Sequence, residues 1–331
     1  MEKNNSTKRK KLPSNNIDIS KKLKIDIPRV EKPPSSTSNK IPKIISFYAE
    51  KGGVGKTTMC ITLAHVFAAK GKRVLIYDCD VQRSLTAWIL GNNFEVYRDS
   101  HPNDSNPFEN FLNNSIRFDS RTFARSLADQ MEGEGEIRPA FAVKIKENLY
   151  LVQGSRDLIQ VDERIAKEES FCIAMTNMGM GERRNDYTGK LYHSIMKTAK
   201  SFDIDFVFLD MNPYPGNINR CLIMCSHYLI IPACLDYFCQ EMLFQMRRNI
   251  TEWDKKISNI IRFTNYLNSN YPWPDHKPKM LGFIANMFSN TSSNNFEKIN
   301  EKNNTSWLNT SKLCYLILND FSNLNNFKTS Q

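Results

Sequence analysis

Nine consecutive residues, Glu50-Lys51-Gly52-Gly53-Val54-Gly55-Lys56-Thr57-Thr58, combine glycine, ammonium and hydroxyl groups at close spacing. A polyphosphate is gripped by main-chain N–H donors converging at a helix N-terminus; glycines let the backbone wrap that closely, and a lysine neutralises the terminal phosphate. Gly52, Gly53 and Gly55 meet the first need, and Lys56 is set to reach the β- and γ-phosphates. Thr57 offers a hydroxyl to Mg²⁺. The stretch Gly52, Gly53, Val54, Gly55, Lys56, Thr57 and Thr58 is therefore the candidate nucleotide cradle. Two later apolar runs end in carboxylates: Val74-Leu75-Ile76-Tyr77-Asp78-Cys79-Asp80-Val81-Gln82 and Phe206-Val207-Phe208-Leu209-Asp210-Met211-Asn212-Pro213. A carboxylate at a strand tip can orient an attacking water or hold a metal through water, which makes Asp80, Asp78 and Asp210 candidates.

These side chains work only if strands and helices bring them together. Ile44 to Ala49 is a short β-branched run before the glycines, and helical spacing follows through Ile61, Leu63, Ala64 and Phe67. Gly71-Lys72-Arg73 closes that helix and Val74 to Tyr77 returns as a strand, giving a βαβ unit. Short apolar runs recur at Leu149–Val152, Phe206–Leu209, Tyr228–Ile231 and Leu281–Ala285, separated by segments able to form helices. This pattern predicts an α/β fold, a doubly wound, mostly parallel sheet flanked by helices. Residues 92–145 and 167–188 are less regular and are assigned to surface loops and short helices.

The glycine cluster departs from the usual P-loop pattern, since Glu50 stands where its first glycine belongs, and a second lysine, Lys51, adjoins it. This arrangement resembles the ParA/MinD superfamily of deviant Walker ATPases, whose signature lysine precedes the glycine pair. The run ending Asp78-Cys79-Asp80-Val81-Gln82 looks like the family's second motif and the run ending at Asp210 like its Walker B strand, with Asn212 where a proline is common. The resemblance covers about residues 43–290. It implies a P-loop NTPase of the deviant Walker type that binds ATP and Mg²⁺. Lys51 would reach a partner's ATP in an ATP-dependent homodimer, Asp80 would be the hydrolytic carboxylate, and Asp210 with Thr57 would hold the metal. Asp78 would support the magnesium shell or the loop, Gly216 would hinge the phosphate-sensing loop, and Asn286 would lie near the adenine. The implied function is slow, partner-stimulated ATP hydrolysis that switches a partition or positioning dimer on DNA, with a ParB-like stimulating partner. Alternatives within the superfamily are a MinD-like switch, a cluster-assembly ATPase, or a DNA-binding regulator with little hydrolysis.

Charge argues for the DNA branch. The 331-residue chain carries a formal charge of +10, and residues 1–40 hold eleven Lys or Arg against four Asp or Glu. Lys8-Arg9-Lys10-Lys11 and Lys21-Lys22-Leu23-Lys24 could contact phosphates without sequence preference, and they also resemble a bipartite nuclear localisation signal. Arg220, Arg247 and Arg248 are candidates for DNA contact on the folded body. The C-terminal apolar stretch Leu313–Leu318 lacks a basic face, so no membrane contact is expected. Residues 1–42 lack the apolar content to fold and are expected to be a disordered basic tail; residues 291–331 are an Asn-rich extension expected to hold one docked helix. No run approaches the length of a membrane span, and eight cysteines in mainly apolar segments suit reduced thiols, so a cytoplasmic or nucleoid-associated protein is expected, nuclear in a eukaryotic host. Cys221 and Cys225 share a helix face at i, i+4 but are read as packing residues.

Overall fold

The computed structural model describes residues 29–31, 40–100, 102–103, 105–106, 110, 122–131, 137–178, 187–234, 237–263 and 271–285. The basic clusters of the tail, Asn286 and the Asn-rich extension lie outside the described residues.

Six strands form the parallel body: β2 (Lys43–Phe47), β3 (Val74–Cys79), β5 (Leu149–Val152), β6 (Phe206–Met211), β7 (Tyr228–Ala233) and β8 (Lys279–Ala285). Two more, β1 (Arg29–Glu31) and β4 (Ala142–Lys146), add antiparallel pairs at one flank, in the order β1-β4-β5-β3-β6-β2-β7-β8. All six parallel strands coincide with the apolar runs read from the sequence. Both faces of the sheet's centre are covered, which is why β3 is buried along its whole length and reads as a continuous apolar run, whereas β8 at the flank leaves Leu281 and Ile284 exposed.

Side-chain alternation sorts the strands onto two cores. Ile45, Phe47, Ile76 and Phe208 face helix α1 (Lys56–Ala69), meeting Cys60, Ile61, Ala64 and Ala68. Helix α2 (Ser84–Ser100) adds Leu85 to the same layer. Ile44, Tyr48, Leu75, Tyr77, Val207 and Leu209 face the other way. That layer is closed by α3 (Phe123–Met131), α4 (Leu158–Asn177), α5 (Tyr187–Ser201), α6 (Asn217–Met224) and α7 (Tyr237–Phe263). Gly71, at φ 76°, ends α1 as its spacing suggested, with Lys72 N–H donating to Phe67 O at 3.0 Å.

The chain winds from β2 outward to β3 and β5, then returns to place β6 between β3 and β2 before moving to β7 and β8. That reversal leaves a crevice at the carboxyl ends of β2 and β6, the position where open α/β sheets bind ligands.

Three segments differ from the sequence reading. Arg29–Glu31, inside the stretch expected to be a disordered tail, pairs with β4. Residues 92–145, expected to hold only loops and short helices, contain the end of α2 and the strand β4. The irregular segment expected from residue 167 begins inside α4, a single 20-residue helix. Among the described residues, no helix is long and apolar enough to cross a membrane.

Candidate active site

The glycine-rich loop leaves β2 and enters α1 at Gly55, whose φ of 86° and ψ of 27° only glycine adopts without strain. Gly53 has a φ of 73°, and a Cβ added at Gly52 or Gly53 would meet nothing within 4 Å, so the space above the loop is open. Val54 is fully buried and pins the loop to the core. No side chain caps α1 and its first turn carries no acid, leaving main-chain N–H groups directed into that space.

Lys56 lies across the loop, its Nζ donating to Lys51 O at 3.0 Å. Burial lowers its pKa, opposed by the charges of Asp210 and Asp80. Lys51 turns instead toward the start of α7, with Nζ 5.5 Å from the Phe238 ring centroid and 3.9 Å from Cys239 Sγ. Glu50, at the position lacking the usual glycine, accepts from Tyr48 Oη at 3.4 Å and from Asn249 Nδ2 of α7. The loop is thereby fastened to a helix nearly two hundred residues downstream.

Register supplies the carboxylates. Asp210 pairs with Asp78 across β6 and β3 and with Phe47 across β6 and β2, which sets all three strand tips side by side. Thr57 Oγ1 donates to Asp210 Oδ2 at 2.8 Å, while Asp210 Oδ1 is buried with no hydrogen-bond partner. Burial, reinforced by the charge of Asp78, pushes the Asp210 carboxyl up to about 7. A carboxylate with one oxygen on a hydroxyl and the other unsatisfied is the donor set a hard cation completes, so Thr57 and Asp210 fit Mg²⁺.

Asp78 has other contacts. Its Oδ2 accepts from Thr86 N at 2.8 Å and Thr86 Oγ1 at 2.7 Å, and its Oδ1 accepts from Asp80 N at 3.1 Å. These bonds tie Asp78 to the turn that carries Asp80 and to the first turn of α2. Burial pushes its carboxyl up to about 6 against those donors. Gly154, just past β5, completes the packing: its N–H donates to Thr86 Oγ1 at 3.1 Å, and a Cβ there would stand 2.9 Å from Asp78 Cγ. Asp80 is half-buried on the following turn, its Oδ1 accepting from Gln82 N at 2.9 Å.

The segment after β6 explains the departure at Asn212. Its Oδ1 accepts from Tyr214 N and from Asn219 Nδ2, both at 2.8 Å, and the fully buried Asn219 also donates to Tyr214 O at 2.6 Å. The turn that a proline would stiffen is held here by two amides. Gly216 has an extended φ of −75°, so its backbone is one any residue adopts. Its requirement is space, because a Cβ would stand 2.7 Å from Asp162 Oδ1, the atom that accepts Ile218 N–H at 2.7 Å and caps α6.

One expected DNA contact is corrected. Arg220 is buried and ion-paired with Glu169 of α4, whose other oxygen meets Lys256 Nζ of α7 at 2.9 Å. Its position inside three packed helices removes it from any outer surface. Cys221 of α6 and Cys225, the residue just past its end, are also fully buried. Thr86, Gly154, Asn219 and Asp162 carry no local sequence signal, since each acts on a partner distant in the chain or through a turn the sequence does not spell out.

A family model described as AAA domain, AAA_31, matches residues 42–263. A putative replication protein A from Rhizobium rhizogenes is 24% identical over 252 residues, covering 74% of this chain and 55% of that protein. The chain thus spans little more than half the length of that relative. The chromosome-partitioning ATPase Soj of Treponema pallidum is 23% identical over 202 residues, covering 61% of this chain and 60% of Soj. Among solved structures, protein DIP2308 from Corynebacterium diphtheriae superposes with a TM-score of 0.56 at 22% identity, over 78% of this chain and 87% of that one, a likeness of fold.

Proposed function

The chain belongs to the ParA-like superfamily of P-loop ATPases, the AAA_31 family, and from that premise we propose that it is a partition or positioning ATPase that binds ATP with Mg²⁺ on the loop between β2 and α1. The observation that carries the nucleotide reading is the Thr57–Asp210 pair, with the unsatisfied Asp210 Oδ1 beneath an uncapped helix start whose glycines leave open space. In this reading the main-chain N–H groups of Gly53 to Thr58 and the Lys56 ammonium hold the phosphates, and Thr57 and Asp210 hold the metal. Bound Mg²⁺ supplies charge neutralisation at the β- and γ-phosphates. Asp80, exposed enough to meet solvent beside Lys56, orients the attacking water, and Asp78 keeps the turn that presents Asp80 in place. Lys51, resting on Phe238, is the residue that a second copy of the chain would take up when an ATP-bound homodimer forms.

Calorimetry with ATP and Mg²⁺ tests the site. Wild type is expected to take up nucleotide, Lys56→Ala to lose it, and Asp210→Asn to lose the magnesium dependence. Uptake that survives Lys56→Ala would overturn the reading. Asp80→Ala separates an ATPase from a regulator without hydrolysis: turnover disappears in the first case and is unchanged in the second.

The cargo-side reading is that the ATP-bound dimer binds DNA without sequence preference, with hydrolysis slow until a ParB-like partner stimulates it. It is supported by the concentration of positive charge in residues 1–40 and by Soj, a chromosome-partitioning ATPase, among the relatives. DNA co-sedimentation with ATP, ADP or no nucleotide, for the full chain and for a chain beginning at Lys43, tests it. ATP-dependent pelleting is expected; pelleting that ignores nucleotide and vanishes with residues 1–42 reduces the activity to that of a basic arm. A cluster carrier would need thiols that face a partner, and Cys221 and Cys225 are fully buried in the protein core.

A further inference from the structure

Helix α5 carries Lys190, His193, Lys197 and Lys200, spaced three, four and three residues apart, so the four cationic or titratable groups fall on one stripe about 15 Å long. Beneath the lower part of that stripe is a cleft of about 310 Å³ lined by Ile137, His193, Met196, Lys197, Lys200 and Tyr271. Tyr271 is held in place from three sides. Its hydroxyl accepts Ile137 N–H at 3.3 Å, its ring meets His193 at a centroid distance of 5.7 Å, and Lys190 Nζ lies 5.7 Å from the ring centroid. His193 Nε2 is 2.9 Å from Pro272 O and donates to it, which fixes the imidazole in the cleft wall. The lining combines two lysines, a half-buried imidazole, a fixed aromatic ring and two apolar side chains.

The cleft is remote from the phosphate loop. Helix α5 ends at Ser201 just before β6 begins at Phe206, and Tyr271 precedes β8, so the cleft opens where strands start, whereas the loop lies where β2 ends. The length of a six-residue strand, on the order of 20 Å, separates the two edges.

We propose that this cleft is a second binding site, for a nucleotide unit, with the phosphate between Lys197 and Lys200 and the base against Tyr271. Ammonium groups beside an aromatic platform are the combination that grips a nucleotide without reading its sequence. The volume lies at the lower end of the range of ligand pockets, about 300–1,000 Å³, which suits one such unit. The unit comes either as a free mononucleotide or as one residue of a single strand. The inference is independent of ATP uptake at the loop.

The test titrates the full chain with thymidine monophosphate and with a dT15 oligonucleotide, following binding by calorimetry and anisotropy. Wild type is expected to bind the monophosphate, and Lys197→Glu with Lys200→Glu to weaken it at least tenfold, while Lys56→Ala leaves it unchanged. Tyr271→Ala weakens binding of the monophosphate but not of inorganic phosphate. With dT15 the slope of log affinity against log salt falls by about 1.4 in the double variant, two contacts at about 0.7 each. Should the double variant fail to fold, Lys200→Gln alone must still weaken the monophosphate. Tighter binding of dT15 than of the monophosphate assigns the site to a strand, and the reverse order assigns it to a free nucleotide. No binding to wild type overturns the proposal, as does binding lost in Lys56→Ala and kept in the α5 variants. So does binding that arises only when Glu132, Glu134 and Glu136, which precede Ile137 in the chain, are changed to Gln. Wild type that binds the monophosphate here but takes up no ATP would sink the ATPase reading and leave this site standing.

Discussion

At the scale of single residues, the candidate site is a set of buried polar groups whose worth depends on having partners. Thr86 supplies two of the three donors that hold the Asp78 carboxyl, and Thr86→Val removes the hydroxyl one. Leaving a buried acceptor short of a donor costs about 1–3 kcal/mol, so the urea midpoint is expected to fall accordingly. Gly154→Ala forces a methyl group to within 2.9 Å of Asp78 Cγ and is expected to destabilise by about 1–3 kcal/mol through overpacking. Both changes should also slow ATP turnover, since Asp80 N–H leans on the same carboxyl. The meeting of Lys56, Thr57 and Asp210 was legible in the sequence because the glycine-lysine-threonine pattern is local and because an aspartate closing an apolar run falls at a strand tip. Thr86 was not, for its role exists only once α2 folds back onto the tip of β3. Arg220 misled for a related reason: a sequence shows a cation but not whether a carboxylate such as Glu169 awaits it in the interior.

Between elements, polar contacts decide how helices and strands are held. Glu169 of α4 joins Arg220 of α6 and Lys256 of α7, and the first two are almost fully buried. Glu169→Gln strands the guanidinium without a counter-charge, and unfolding measurements are expected to show a loss of about 3–5 kcal/mol. Pairing Glu169→Leu with Arg220→Met removes both charges and is expected to recover most of that loss. At the starts of β2 and β7, His227 Nδ1 accepts Ile44 N–H at 3.1 Å and its ring stacks on His276 at 4.1 Å. Burial, with the nearby charges of His276 and Lys43, pushes its pKa down to about 4. Above the ordinary histidine value of about 6.5 neither the folded nor the unfolded chain is protonated at this site. Between there and about pH 4 only the unfolded chain takes up the proton, so stability falls as pH falls through that window. Urea midpoints from pH 7.5 to 4.5 should therefore slope less steeply in His227→Asn, which keeps an acceptor for Ile44 but does not titrate. Five of the six parallel strands were readable because burial on both faces leaves an unbroken apolar run, while β8, with Leu281 and Ile284 exposed, was readable from its apolar residues alone. β4 was missed because Lys144 and Lys146 interrupt Ala142–Lys146, as suits a strand near an open flank. Helix α4 was cut short in the reading because its second half has no apolar period of its own.

Across the whole molecule, the doubly wound order follows from where the apolar runs fall, but the crevice needs β6 to lie between β3 and β2, and only the pairing registers set that arrangement. Helices on both faces bury the central strands β3, β6 and β2, so polar groups gather at the strand ends, with the phosphate loop at the carboxyl ends and the α5 cleft at the starts. The short antiparallel strand β1 moors the N-terminal arm at the flank farthest from β8. Lys24 stands five residues before Arg29, and five residues of chain reach at most about 18 Å in any conformation. A phosphate held by Lys24 is consequently leashed near β4, and short photo-crosslinkers placed at Lys144 should capture a short oligonucleotide bound there while those placed at Met280 should not.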